Sequence, residues 1–338
     1  MTTTPITDFF PDHQGAFAEA LQKLEGRKVA VIGHMRPDGD CIGSIVGMTR
    51  VLNAAGLGID AIGLNRDTTP RNLEGFIGDT PFLVGDPSAL EGRLVISVDC
   101  ADDRRMSGSM RDCFDRVFLN VDHHISNPGY AELNIVEGAA SATAEILAGL
   151  FLEKDLPIDP VAAQALYIGM ATDTGQFRFA STSPQVFEIC CQLCAKGADP
   201  AAAAFALYEN ESFAKLLLLQ RFLASLTREF NGRVCIGRLS KKDFEETGAH
   251  SDDTEGLVDY ARSIEGVDIG VLIEERGDGV KGSLRAKDPI YQVQEVAQRF
   301  NGGGHACAAG LNVSMSMDGF RESLIEALGA HLEGIIKA

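Results

Sequence analysis

Apolar positions along this chain follow two different spacings, and the alternation between them sets the predicted architecture. Short unbroken apolar runs at residues 28–32, 59–62, 94–98 and 117–121 read as buried strands. Apolar residues at helical spacing occupy 13–24, 41–55 (closed by Gly56), 142–152, 160–171 and 184–195. Strands alternating with helices predict an α/β unit with a largely parallel sheet flanked by helices. Residues 201–226 are rich in Ala and Leu, with no Gly or Pro after Pro200, and read as a helical link. Beyond it the order changes. Strands are expected at 233–239, 268–275 and 281–286, the last two joined through Gly277-Asp278-Gly279, and helices at 255–263, 293–300 and 319–333. The expected organisation is an α/β domain over 1–198, a connector over 199–228 and a smaller α+β domain over 229–338.

Composition narrows the function. A chain of 338 residues, 45% hydrophobic and 23% charged, is an ordinary globular protein long enough for two cores. Its net charge of -18 opposes a broad nucleic-acid or anionic-membrane surface, so long duplexes and membranes are not expected partners. A small phosphate ester held by local positive charge is still allowed. There is no bilayer-length apolar run and no basic-then-apolar leader, so the expected compartment is the cytoplasm. The eight scattered cysteines do not form a disulfide framework. Cys191-Gln192-Leu193-Cys194 lacks a second ligand pair and is expected to be a buried structural pair on a helix.

Three polar segments interrupt this pattern, each directly after a predicted strand. They are Gly33-His34-Met35-Arg36-Pro37-Asp38-Gly39-Asp40, then Asp99, then Asp122-His123-His124. A fourth acid, Asp173, ends a helical run. The carboxyl ends of parallel strands are where open α/β sheets place their sites. Imidazole and carboxylate donors together suit Mn²⁺, Zn²⁺ or Fe²⁺ better than Ca²⁺ or hydrated Mg²⁺, and the pattern points to a two-metal hydrolase. Each motif also has a structural alternative. Asp38 and Asp99 can cap the helices that follow them, and adjacent histidines can be surface loop residues. Gly39 relieves crowding between Asp38 and Asp40, letting them aim at different ions. Asp99 can bridge two ions through its two oxygens, and His123 and His124 point in different directions. Cys41 and Cys100 are expected to be packing neighbours.

These segments resemble the motifs of the DHH phosphoesterase superfamily, named for the run found here as Asp122-His123-His124. Gly302-Gly303-Gly304-His305-Ala306-Cys307-Ala308-Ala309-Gly310 resembles the glycine motif of that superfamily's associated substrate-binding domain. Within the superfamily the chain is most similar to the bacterial nanoRNase/pAp phosphatases. The resemblance implies one metal on His34, Asp38 and Asp99, and a second on Asp40, the shared Asp99, His123 and Asp173. Both ions would be divalent, Mn²⁺ by family habit. Asp122 would orient an imidazole or close the strand end, and His124 would stand at the phosphate, stabilising its charge or assisting the leaving group.

The glycines of Gly302, Gly303 and Gly304 let backbone N–H groups approach an anion, with a helix expected to begin after them. His305 and Arg285 are candidate substrate contacts. The stretch 281–305 carries four Lys or Arg against two acids, unlike the chain as a whole. Arg104 and Arg105 can approach phosphate or pair with Asp102 and Asp103, while His13, His250 and His331 are expected at the surface.

The resulting expectation is a phosphodiesterase and phosphomonoesterase acting on short oligoribonucleotides and pAp, with a homodimer allowed. The rival within enzymes is a cyclic-dinucleotide phosphodiesterase. A single-strand exonuclease is disfavoured by the acidic charge, and a pyrophosphatase would not need the glycine motif. A non-catalytic nucleotide-binding regulator is opposed by the complete ligand set.

Overall fold

The computed structural model describes residues 8–337, with the side chains of His305, Ile336 and Lys337 outside that description. The chain divides into two units, 1–210 and 211–338. The first contains α1 (Gln14–Leu24), β1 (Lys28–Ile32), α2 (Gly39–Ala54), β2 (Asp60–Asn65), β3 (Phe82–Val84), β4 (Leu94–Val98), α3 (Gly108–Arg111), β5 (Leu119–Asp122) and β6 (Leu133–Val136). Four helices follow: α4 (Thr143–Glu153), α5 (Pro160–Asp173), α6 (Pro184–Ala195) and α7 (Pro200–Tyr208). The strands form one sheet in the order β3-β2-β1-β4-β5-β6, with every neighbouring pair parallel. Strand order reverses between β1 and β4, the switch point at which doubly wound sheets open a crevice.

Local sequence explains several of these starts. Asp159, Ser183 and Asp199 each precede a proline and cap α5, α6 and α7 through their side chains. Close packing of α2 on α5 depends on Gly43, because a Cβ there would overlap the Ala165 carbonyl. Gly39 meets Thr172 in the same way, so the first turn of α2 lies beside the last turn of α5. That contact brings Asp40 and Asp173 near each other, although 133 positions separate them in sequence.

The second unit contains α8 (Phe213–Ala224), β7 (Thr227–Glu229), β8 (Val234–Leu239), α9 (Lys241–Thr247), α10 (Leu257–Ser263), β9 (Ile269–Arg276), β10 (Gly279–Ala286), α11 (Val293–Gln298), β11 (Gly303–His305), β12 (Ala308–Val313) and α12 (Met317–Lys337). Its sheet has the order β11-β12-β10-β9-β8-β7, antiparallel except between β8 and β9. One face packs under α11 and α12, with Phe320, Leu324, Leu328 and Leu332 following the four-residue helical repeat. Over β8 and β9 the opposite face is covered by α8 and α10. Over β10 and β12 it stays open, as alternate residues Lys281, Ser283 and Arg285 are half-buried and Gly310 and Asn312 are exposed.

Several expectations change. The single helical link is two helices, because α7 ends at Tyr208 and Ser212 caps a new start for α8. The strands β3, β6, β7, β11 and β12 and the helix α9 are too short or too mixed in polarity to stand out by periodicity. His331 is buried, its Nε2 2.7 Å from the Tyr291 carbonyl oxygen, and His13 is half-buried beside Glu137. Cys191 is exposed and Cys194 half-buried, because the inward face of α6 is Val186, Ile189, Cys190 and Leu193. Among the described residues, no helix is long and apolar enough to cross a membrane.

Candidate metal centre and phosphate site

The ends of β1, β4 and β5 lie side by side, and the three sequence motifs meet there. His34 follows β1 and is buried, with Nδ1 2.8 Å from the Met35 carbonyl oxygen. If Nδ1 carries the proton, Nε2 is free to act as a donor to a cation. Asp38 caps α2 by accepting the Cys41 N–H, so its predicted structural alternative is realised beside its candidate ligand role.

Asp40 is fully buried in the first turn of α2, and its two oxygens accept the Thr143 and Ala144 N–H groups at 2.7 and 2.8 Å. The carboxylate thus sits on the positive end of α4. Asp99 has a left-handed backbone, φ +51°, immediately after β4. Such a conformation costs a non-glycine residue about 1–3 kcal/mol and concentrates at functional positions.

Asp99 lies between two donor groups. Its Oδ2 is 3.3 Å from His34 Nε2, which is itself 3.7 Å from Asp38 Oδ2. Its Oδ1 is 3.6 Å from His123 Nε2, and that nitrogen lies 3.3 Å from Asp173 Oδ2 and 3.9 Å from Asp40 Oδ2. Donors bound about 2.0–2.2 Å from one ion stand roughly 3–3.5 Å apart at octahedral or tetrahedral angles. The spacing therefore fits two divalent cations with only small side-chain adjustment.

Electrostatics favour the same fit. Burial and the neighbouring carboxylate Asp38 raise Asp40 to about 7, and burial with Asp40 raises Asp99 to about 6. Asp173 is pushed well above the ordinary range by burial and by Asp40. Despite its burial, His34 is raised to about 10 by Asp38 and Asp99. Against the desolvation of the site, His34 in turn holds Asp38 low. This crowd of acids with too little positive charge would be stabilised by dications.

His124 is differently placed. Its ring stands at 66° to that of His123, with centroids 4.7 Å apart. Its Nδ1 is 2.7 Å from Asp122 Oδ1, and its Nε2 is 3.3 Å from Arg105 Nη1. Asp122 is itself fixed by Asn127 Nδ2, which donates to Oδ2 at 2.6 Å and to Asn120 Oδ1 at 2.7 Å. Asn120 donates onward to Ser97 Oγ and Tyr130 Oη, and Tyr130 to the Cys100 carbonyl. Sequence reasoning missed this relay, since its amides and hydroxyls are scattered over two strands and a loop. The only local signal was Asn127 two residues before Gly129, whose N–H it also binds. Arg104 pairs with Asp102 and is exposed, whereas Arg105 turns to His124.

In the second unit the glycine motif differs from expectation. No helix follows it. Residues 303–305 and 308–313 form a β-hairpin, with Gly303 opposite Gly310 and His305 opposite Ala308. A side chain at Gly302 would overlap the Gly310 carbonyl, and one at Gly304 the Ala308 carbonyl, so these glycines allow the hairpin to close. The next register partner after His305 and Ala308 is Arg285 on β10. Arg285 Nη1 donates to the Leu284 carbonyl at 3.1 Å, and burial lowers its pKa against the pull of Asp259. The His305 side chain lies outside the described residues. The local basic excess is smaller than it looked, because Lys281 pairs with buried Glu274 at 3.1 Å.

Known proteins extend this picture. Residues 28–170 match the DHH family, N-terminal domain, and 231–337 match the DHHA1 domain. The bifunctional oligoribonuclease and PAP phosphatase NrnA of Thermus thermophilus is 30% identical over 319 residues, 93% of each chain. The Bacillus subtilis protein of the same name is 27% identical over 286 residues, covering 83% of this chain and 87% of its own. The crystal structure of an exopolyphosphatase-related protein from Bacteroides fragilis superposes with a TM-score of 0.87, at 22% identity and 99% coverage of both chains. With these domains and this breadth of identity, the chain belongs to the DHH phosphoesterase family.

Proposed function

We propose that this chain is a metal-dependent hydrolase that degrades short oligoribonucleotides to mononucleotides and removes the 3′-phosphate of pAp. The observation carrying the chemistry is the division of Asp99, one oxygen toward His34 and the other toward His123. Substrate class comes from relatives named for both activities. His34, Asp38 and Asp99 would hold one cation, and Asp40, Asp99, His123 and Asp173 the other. Mn²⁺ is the proposed metal by the family resemblance, and mixed imidazole and carboxylate donors accept it as they accept Zn²⁺ or Fe²⁺. Two such ions held by these residues would supply an activated water and charge neutralisation at the phosphoryl oxygens.

The chain's own residues supply the remainder. The Asp122–Asn127 relay fixes the His124 ring, with Nε2 beside Arg105, so imidazole and guanidinium together can meet phosphate charge. His124, raised above its ordinary value by Asp122 despite burial, is suited to donate a proton to the leaving oxygen. The open face of β10 and β12, where small residues leave room beside Arg285, is the proposed nucleotide-recognition surface, with His305 and the Gly302, Gly303 and Gly304 hairpin at its edge. The proposed compartment is the cytoplasm.

The test is a metal-supplemented assay of dinucleotides, longer RNA, pAp, a cyclic dinucleotide and pyrophosphate. Highest kcat/KM on dinucleotides with turnover of pAp is expected. A preference for the cyclic dinucleotide would move the substrate assignment to that class, and hydrolysis of none would overturn the reading. Sedimentation velocity on the same protein distinguishes monomer from the homodimer that the sequence allows.

A further inference from the structure

Cys41 lies inside the proposed metal centre without having been needed there. It occupies the first turn of α2, between Asp40 and the glycine-packed body of that helix, and is fully buried. Its Sγ, a ring nitrogen of His34 and a carboxylate oxygen of Asp99 all lie within 4.8 Å of one another. A cation bound by sulfur at about 2.3 Å and nitrogen at about 2.0–2.1 Å separates those donors by roughly 3.5 Å, so a contraction near 1 Å closes the set.

A second contact concerns the sulfur itself. Asn65, buried at the end of β2, directs its Nδ2 at Cys41 Sγ from 3.7 Å while also donating to the His34 carbonyl at 3.2 Å. Burial and the Asp99 and Asp38 carboxylates push the Cys41 thiol up, so the sulfur becomes a ligand only where a cation displaces its proton. Meanwhile Asp38, the oxygen donor assigned to the same position, has a side chain 53% exposed and stands farther from His34 than Asp99 does. The His34 position therefore has two alternative third donors, an exposed hard oxygen and a buried soft sulfur.

We propose that Cys41 is an alternative thiolate ligand at the His34–Asp99 position, taken up by thiophilic divalent cations such as Zn²⁺ or Cd²⁺, and that it sets the metal selectivity of this centre. A hard cation such as Mn²⁺ takes the oxygen of Asp38 and leaves the thiol protonated. With a soft cation the S–H bond breaks, a metal–sulfur bond forms and the proton passes to solvent. No atom changes oxidation state. The consequence is a centre that soft cations occupy and hold in competition with the hard metal. This inference rests on His34 and Asp99 being metal ligands, as proposed above.

The test uses the full-length protein with the accessible thiols removed (Cys113→Ser, Cys191→Ser, Cys194→Ser and Cys307→Ser), stripped of metal and given one equivalent of Cd²⁺, read by the ultraviolet thiolate-to-cadmium charge-transfer band. This parent protein should show the band, Cys41→Ser should lose it, and Cys100→Ser, at the other buried cysteine beside a motif residue, should keep it. Displacement of bound Mn²⁺ by Zn²⁺, followed by electron paramagnetic resonance of the released Mn²⁺, gives a second readout. Removing one supporting group from a metal site costs on the order of 10- to 100-fold in affinity, so Cys41→Ser should need that much more Zn²⁺. Cys41→Ala replaces it if the serine variant does not fold. A band that survives both substitutions, or equal Zn²⁺ displacement in all variants, overturns the sulfur ligand while leaving the two-metal reading intact. Mn²⁺ binding that persists undiminished in Asp99→Ala overturns the two-metal reading itself, and this inference with it.

Discussion

The strand-end centre of the first unit and the open sheet face of the second both use charged residues beside glycines, yet they are built in opposite ways. In the first unit the functional side chains are mostly buried and tied down. Asp40 is held by two backbone N–H groups, Asp122 by His124 and Asn127, and His34 by the Met35 carbonyl. In the second, Ser283 and Arg285 are half-buried among Ala308 and Gly310, and the Arg285 guanidinium donates to its neighbour's carbonyl. Bond cleavage needs donors fixed before substrate arrives, because a misplaced charge stabilises no transition state. Recognition of a variable nucleotide needs room and one strong anion contact. On the proposed reading, catalysis belongs to one unit and selectivity to the other, and each can be attacked separately.

The largest effect belongs to the residue shared by both donor groups. Asp99→Ala should reduce turnover to background and lower bound metal more than Asp38→Ala, measured by elemental analysis of folded protein. Asp99→Asn is the sharper variant, since asparagine tolerates the left-handed backbone while removing the charge. Near-native metal content with near-native turnover in that protein would end the bridging assignment. Next in size is the division between the two histidines. His124→Ala should lower kcat about 10²- to 10⁴-fold while retaining most of the metal, the scale of a lost proton donor. His123→Ala should instead lose metal, and equal metal loss in both would collapse the distinction.

These motifs were legible because each polar ligand interrupts an apolar run. The strands at Lys28–Ile32 and Leu94–Val98 fall where the sequence predicts, and β5 ends on Asp122 itself. What sequence could not show is how distant groups share one carboxylate. The N-terminus of α4 holds Asp40 through backbone N–H groups, which carry no residue-type signal. The Asn127–Asn120–Tyr130 relay is likewise invisible to periodicity. In the second unit the helix expected after the glycine run is replaced by a strand, because the glycines let β11 cross close to β12.

A smaller effect is expected from the recognition face. Arg285→Ala and His305→Ala should keep both metals yet raise KM for short RNA and flatten the preference for dinucleotides over longer chains. A hydrogen bond to a charged group contributes roughly 1.5–3 kcal/mol, about ten- to a hundredfold in affinity. Measuring kcat and KM on RNAs of increasing length, with pAp alongside, separates this loss from a catalytic one. Unchanged selectivity in both variants would reduce the hairpin to a structural role and erase the contrast between the two units.

The smallest effect needs no substitution and tests the charge crowding directly. In the metal-free protein Asp40 and Asp99 titrate near 7 and 6, raised by burial and by neighbouring carboxylates, against an ordinary value of 3.8. Between those values the folded chain binds protons that the unfolded chain has released, so stability is greatest below the ordinary carboxylate pKa and falls as pH rises. His34, raised to about 10, extends the decline above pH 6.5, because the unfolded imidazole loses its proton first. Asp38 and Asp122 are shifted downward, so their contribution is already complete above the ordinary carboxylate range and does not reverse the slope. Thermal denaturation of metal-free protein should therefore show stability falling steadily between about pH 4.5 and 7.5. Saturating Mn²⁺ should flatten or reverse this fall, because the cations stabilise the deprotonated acids and compete with protons for the same oxygens. A metal-free protein that gains stability over this range would show that the strand-end acids are not forced together, and the contrast with the open sheet face would lose its electrostatic basis.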